Sequence, residues 1–279
     1  MLAPFEYEFF RNGFIAALIV GALCGFIGVY VVLRRMSYIG HGLSHAIFGG
    51  AVLSHVINVN FFLGAGVWAL LAGVLIHRIS RRHWVGGDAA IGVVTTSSFA
   101  LGVAIVSTYR RFTRNIEAAL FGNILGITVR DLGIIIAISL AVFCALFLMR
   151  RQLLFATFDP EVAVAYGVSS ERTDLIFVLL LAITVLASTQ ILGVTLVAAV
   201  MVIPPVIARY LTHKFHRLLV LSPLLGGFCG AVGMYLSFYF DIASAATIVL
   251  TAATLFIIVE LLVIARGKTG VVKSRPNAW

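Results

Sequence analysis

Residues 12–35 read NGFIAALIVGALCGFIGVYVVLRR, an uncharged apolar run closed by two arginines. At about 1.5 Å of rise per helical residue, a run of that length crosses a hydrocarbon layer of about 30 Å. The rest of the chain repeats the pattern. Of its 279 residues, 61% are hydrophobic and 11% charged, where a soluble domain carries about a quarter charged. The mean hydropathy is +1.09. This balance excludes a cytosolic enzyme, a nucleic-acid binder and a disordered chain. The net charge of +9 needs no acidic partner, because the arginines gather between apolar runs, as they do in membrane proteins.

Cutting the chain at its charged and turn-rich breaks predicts nine segments: about 12–33, 36–57, 61–79, 88–107, 130–149, 173–188, 191–210, 217–237 and 244–265. Ser188-Thr189-Gln190 alone divides the sixth from the seventh, so the two form either separate spans or one broken or re-entrant element. The expectation is an all-α integral membrane protein, a polytopic bundle of eight or nine transmembrane helices forming one domain over 1–279. Met1 to Phe10 is acidic and aromatic, unlike a signal peptide, so the first run is expected to remain. Cys24, Cys144 and Cys229 each lie inside an apolar run without metal spacing and read as packing residues.

Positive charge orients the spans. Arg34, Arg35, Arg78, Arg81, Arg82, Arg150, Arg151, Arg172, Arg209, Lys214, Arg217, Arg266, Lys268, Lys273 and Arg275 fall on one side, fifteen in all, against five (Arg11, Arg110, Arg111, Arg114 and Arg130) on the other. The N-terminus is therefore expected outside and the tail, 266–279, in the cytoplasm. Two connections exceed a turn. Residues 108–129, outside, mix charge with an apolar stretch that suits an interfacial or re-entrant helix. Residues 150–172, inside, hold the largest cytoplasmic cluster of acids.

Ionisable residues at membrane depth are candidates for function. In the second segment His41 and His45 are four apart and share one helical face. His45 sits about 13–14 Å from the inner edge, near the midplane. Gly40, Gly42, Gly49 and Gly50 allow a neighbouring helix to approach. A lone buried histidine more commonly fastens one helix to another, but two imidazoles in register can ligate a divalent transition metal. Ser44 beside them, and His55, Asp241 and Glu117 toward the outside, are candidates for a metal pathway or its mouth. His55 and the two acids also fit ordinary solvated positions. His77, His83, His213 and His216 are expected in cytoplasmic loops. In the seventh segment Pro204-Pro205 removes backbone donors and kinks the helix, serving a cavity, a hinge or bundle geometry equally. No His-Glu-x-x-His or Gly-x-Ser-x-Gly occurs, so no hydrolase machinery is visible. Gly267-Lys268-Thr269 follows a span rather than a strand and lacks the first glycine of a phosphate loop. The chain is not expected to bind ATP itself.

In the inner connection, Asp159 suits a helix cap and Pro160 its first position. Glu161, Ala163, Ala165 and Gly167 then describe a short, small-faced helix ended by glycine. Such a helix can dock into a groove on a partner, although a plain amphipathic connector looks similar.

Four stretches in order, RRMSYIGHGLSHAIFGG (34–50), ALFGNILGIT (119–128), FDPEVAVAYGV (158–168) and LGVTLVAAVMVIPPVIAR (192–209), resemble the ABC-3 family of metal-uptake permeases from ATP-binding-cassette importers. The resemblance covers nearly the whole chain. It implies a homodimer in the bacterial cytoplasmic membrane, bound to a separate cytoplasmic ATPase dimer and fed by an extracytoplasmic metal-binding protein. It also implies a transported divalent metal (Mn²⁺ or Zn²⁺, with Fe²⁺ as a further option), no permanent cofactor, ATP used only through the partner, and no nucleic-acid partner. By the same resemblance residues 159–167 are a coupling helix, and His45 matches one of the family's metal-contacting residues. His41 stands where many members carry Asp, and imidazole in place of carboxylate favours borderline ions such as Zn²⁺. Two other readings remain: an ion-gradient-driven metal carrier, using His41, His45 and Glu260 as titratable groups, and an ABC importer of a metal chelate.

Overall fold

Helix α1 (Glu8–Leu33) is the post around which the bundle assembles. In the computed structural model, which describes residues 3–81, 84, 86–108, 121–158 and 160–268, α1 runs from an end lined with aromatic rings to the end that holds Arg34. At the first of these ends Phe5 packs edge to face on Phe10 and on Phe14, and Phe10 does the same with Phe238. The helices that follow are α2 (Ser37–Val56), α3 (Phe61–Ser80) and α4 (Gly87–Thr108). A 3₁₀ turn at Ile124–Gly126 leads into α5 (Val129–Leu148), α6 (Arg150–Phe158) and α7 (Pro160–Ala165). The last three are α8 (Ser170–Leu211), α9 (Phe215–Phe240) and α10 (Ser244–Lys268).

Local chemistry fixes the ends. The Asn60 side chain accepts from Phe62 N at 2.9 Å to start α3. Thr128 and Asp131 close a reciprocal capping box at the start of α5. The Ser169 hydroxyl accepts from Arg172 N to start α8. His77, expected in a loop, instead lies buried in the last turn of α3. The helix runs past the apolar segment because a basic side chain such as the neighbouring Arg78 can extend toward water while its stem stays apolar.

Seven of these helices are long and apolar enough to cross a membrane, and the chain is a multi-pass membrane protein. Its outer faces are apolar: Leu63, Val67, Leu71 and Leu75 recur every fourth residue along α3, all exposed, a stripe suited to lipid. Helix α2 is long enough to cross but falls outside that set. It carries His41, His45 and His55, and most of its side chains are buried by α3, α4 and α8. Shielded by protein, it needs less apolarity than a lipid-facing helix.

Helix α8 spans 42 residues, about 63 Å at helical rise and so twice a membrane's thickness. It is two limbs. Asp174 and Phe177 lie beside Arg34 and Tyr30, and Ser188 bonds the Cys24 sulfur at 3.3 Å, so the first limb climbs antiparallel to α1. At Gly193 the backbone turns to φ 71°, ψ 165°, a combination that only glycine adopts without strain. Beyond it the chain descends, with Met201 O against Gly28 and Ala208 clustered with Val29 and Leu218. The expected sixth and seventh segments are thus the two limbs of one hairpin, both standing at the Arg34 end. Pro204 and Pro205 lie within the helix of the second limb, buried, about three turns beyond the break at Gly193.

The contact between α1 and α9 sets the antiparallel register. A side chain on Gly21 would begin 2.3 Å from Gly226 O, and one on Gly230 would begin 2.3 Å from Ala17 O. Backbone touches backbone here, as small residues permit in membrane bundles, and the Ser222 hydroxyl adds a bond of 2.6 Å to Gly25 O. Helix α10 then returns along α9 and the second limb, with Phe256 against Tyr210. Helices α1 and α10 therefore begin and end at opposite ends of the bundle.

Candidate functional site

Helix α2 carries the histidine pair, and its neighbours hold it at backbone distance. Alpha carbons on α2 and α4 approach so closely that a side chain on Gly49 would begin 2.3 Å from Ser98 O. The Ser98 hydroxyl donates to Ala46 O at 2.8 Å and accepts from Trp68 Nε1 at 2.6 Å. One serine on α4 thus clips α3 to the α2 backbone, one residue after His45.

His41 and His45 are both half-buried, with ring centroids 4.4 Å apart and planes at 77°. They stand in a column of rings. Tyr38 lies 5.8 Å from His41 on the Arg34 side, and Phe99 lies 5.2 Å from His45 on the other, itself packed on Phe48 at 5.0 Å. Spacing of i, i+4 is the one by which a helix offers two imidazoles to a single zinc ion. Among the described residues no group of three or more His, Cys, Asp or Glu gathers to hold a metal. Two imidazoles are fewer than the four ligands of a structural zinc site, so the pair by itself does not make a closed cage.

The other sequence-derived residues are placed as follows. Ser44 is fully buried and its hydroxyl donates to His41 O at 2.8 Å, so it steadies the backbone between the histidines. His55 is exposed in the last turn of α2, and Asp241 is exposed just beyond α9 with φ 53°. These two share the aromatic end, away from the histidine pair. Glu117 lies outside the described residues, as does most of the expected interfacial helix in 108–129. Asp159 is likewise outside them.

Helix α7 forms where the sequence places a short helix. Val168 N donates to Ala163 O at 2.8 Å and Gly167 N to Val164 O at 3.0 Å, the two bonds of a Schellman cap, with Gly167 at φ 73°. Ala163 is fully buried against the rest of the chain, while Ala165 faces out. Sequence reasoning passed over Val164 and Tyr166, which are 69% and 73% exposed. They offer a partner the apolar area that the alanines lack. Val164, Ala165 and Tyr166 together make the outward face, and Ala163 alone of this turn points inward.

Residues 6–263 match the ABC 3 transport family. Among curated relatives, the manganese transport system membrane protein MntC of Halalkalibacterium halodurans is 35% identical over 90% of this chain and 86% of that protein. The manganese import system permease protein ScaB of Streptococcus gordonii is 31% identical over 91% of each. Among solved structures, PsaBC from Streptococcus pneumoniae in complex with Fab superimposes with a TM-score of 0.83 at 30% identity, covering 93% of this chain and 95% of the other.

Proposed function

The chain belongs to the ABC 3 transport family, and from that premise we propose that His41 and His45 are the point at which a divalent metal, principally Mn²⁺, crosses the membrane. The protein is the membrane permease subunit of an ABC importer for transition-metal ions. It is not itself an enzyme; hydrolysis resides in a separate subunit. Membership of an ATP-driven family sets aside a gradient-driven carrier, and the histidine pair gives a bare ion, rather than a chelate, its contact.

The observation that carries the reading is the pair itself: two imidazoles 4.4 Å apart on the least apolar of the long helices, walled by α4 and α8. The named manganese systems among its relatives support Mn²⁺ as cargo. An imidazole at position 41 makes Zn²⁺ a strong competitor, since it replaces a hard oxygen donor with a borderline nitrogen. Two copies of the chain form the pathway and supply further ligands. Residues 159–167 seat on a cytoplasmic ATPase, with Glu161 and the outward face of α7 as the contact. ATP-driven movement there reorients the membrane helices, so that an ion delivered by an extracytoplasmic binding protein at the aromatic end leaves at the Arg34 end. The N-terminus faces out and the tail faces the cytoplasm of a bacterial cell.

The test is uptake of radioactive manganese and zinc into vesicles carrying the chain, its ATPase and its binding protein, with and without ATP. Accumulation requires ATP and disappears in the double variant His41→Ala, His45→Ala, which still assembles with the ATPase. Undiminished uptake by that variant would remove the pair from the pathway.

A further inference from the structure

Arg34 caps α1 with a side chain that reaches two other helices at once. Its Nη1 donates to Asp174 Oδ1, at the foot of α8, at 2.8 Å, and its Nε donates to Thr157 Oγ1 of α6 at 2.9 Å. The guanidinium lies 4.9 Å over the Phe177 ring. The arginine side chain is 6% exposed. Its remaining nitrogen, Nη2, is buried without a hydrogen-bond partner, and so is the Tyr30 hydroxyl one turn earlier. The Tyr30 ring in turn meets Phe177 at 6.2 Å and Phe215, at the start of α9, at 5.9 Å. Three helices therefore meet at one buried cation, and α9 joins them through the Tyr30 ring.

The same cluster connects to α7. Tyr166, which ends that helix, stacks on Phe155 of α6 at 5.6 Å, two residues before Thr157. Contacts thus run from α7 through Phe155 and Thr157 to Arg34, and from Arg34 into α1 and the first limb of α8. The second limb carries them on to the site: the Met201 sulfur lies 3.1 Å from where a side chain on Gly40 would begin, one residue from His41.

We propose that Arg34 is the positioning residue through which movement of α7 reaches the metal pathway; this rests on the reading of 159–167 as the segment seated on the ATPase. A guanidinium is a planar fork with directional donors. This one holds one carboxylate and one hydroxyl and keeps a buried donor unspent, which makes it able to trade partners when α6 shifts. Packed interfaces switch between discrete arrangements rather than deform continuously, and an arginine with donors in reserve has a second arrangement to adopt. While Arg34 holds Thr157, a displacement of the short α6 pulls on the end of α1, and the spare Nη2 gives Asp174 a second donor as α1 tilts against α8.

The experiment uses the complete complex of permease, ATPase and binding protein in vesicles, and reads manganese ions moved per ATP hydrolysed. Arg34→Lys retains the charge but loses the fork, and the ratio falls at least fivefold while the complex stays assembled. Thr157→Val removes the bond from Arg34, along with the hydroxyl's own bond to Leu153 O within α6, and lowers the ratio at least twofold; it decides the matter if Arg34→Lys does not assemble. Uptake and hydrolysis that decline in step, with the ratio unchanged, would make Arg34 a structural residue and overturn the proposal. Glu161→Lys separates the two readings. If it leaves hydrolysis responsive to loaded binding protein, the coupling role of 159–167 is wrong. If it uncouples while the Arg34 and Thr157 variants keep the normal ratio, the Arg34 link alone is wrong.

Discussion

Gly167→Ala isolates backbone conformation from every other effect at the proposed ATPase contact. Gly167 has φ 73°, and nothing lies within 4 Å of where its side chain would begin. A methyl group there meets no atom, so any cost is conformational. The left-handed region costs an L-residue about 1–2 kcal/mol. The chain can escape only by abandoning the Schellman bonds from Val168 N and Gly167 N, which unwinds a helix of six residues. A penalty of that size shifts the ratio of capped to uncapped α7 by roughly 5- to 30-fold. Hydrolysis stimulated by loaded binding protein, measured on the reconstituted complex, therefore falls in Gly167→Ala, by at most that factor. Gly167→Asn retains more, because asparagine visits the left-handed region more readily. Full stimulation in the alanine variant, or a greater loss in the asparagine variant, would refute the reasoning.

Three further outcomes follow from the packing. Gly49→Ala places a methyl group 2.3 Å from Ser98 O, where ordinary contact begins at 3.4 Å. Helix α4 must then retreat by about 1 Å, carrying Phe99 off His45, and concentration-dependent uptake shows a raised half-saturation for metal. Ser98→Ala leaves Trp68 Nε1 without its acceptor, a cost of about 1–3 kcal/mol, seen as a lower unfolding temperature in detergent. Gly133→Ala is the control: the site is exposed and helical with nothing within 4 Å. Thermal stability there holds or rises by up to about 1 kcal/mol, and a clear loss would show that the face of α5 is packed against something.

Apolar length was the legible part of the sequence, because a membrane demands it of each segment separately. The segment expected at 36–57 is α2, Ser37–Val56, and that expected at 244–265 begins at Ser244 as α10 does. Ser188-Thr189-Gln190 misled for a physical reason. Polar residues read as a break, yet here the Ser188 hydroxyl donates to Thr184 O at 2.7 Å and that of Thr189 to Leu186 O at 2.7 Å. Both satisfy themselves inside the helix, and the reversal waits for Gly193. The histidine pair was legible because its partners are four residues apart on one helix. Arg34 and Asp174 were not, since 140 residues separate them and neither carries a local pattern. Thr157 and Tyr166 belong to the same blind spot, and α6 was not anticipated as a separate helix.

The modest apolarity of α2 has a consequence for how the chain is made. An insertion channel weighs each emerging segment largely by its own apolarity, and α2 emerges when α1 alone is in place. Helix α1 touches it little; α3, α4 and α8 supply its cover, and the last of these begins at residue 170. During synthesis α2 therefore has to be retained beside protein until its later neighbours arrive. A substitution in α4 that loosens the grip of Ser98 prolongs this wait, and the amount of chain found in the membrane is expected to fall along with uptake. Activity lost in such variants belongs per surviving molecule, and counted that way a residue of the assembly line is told apart from a residue of the transporter.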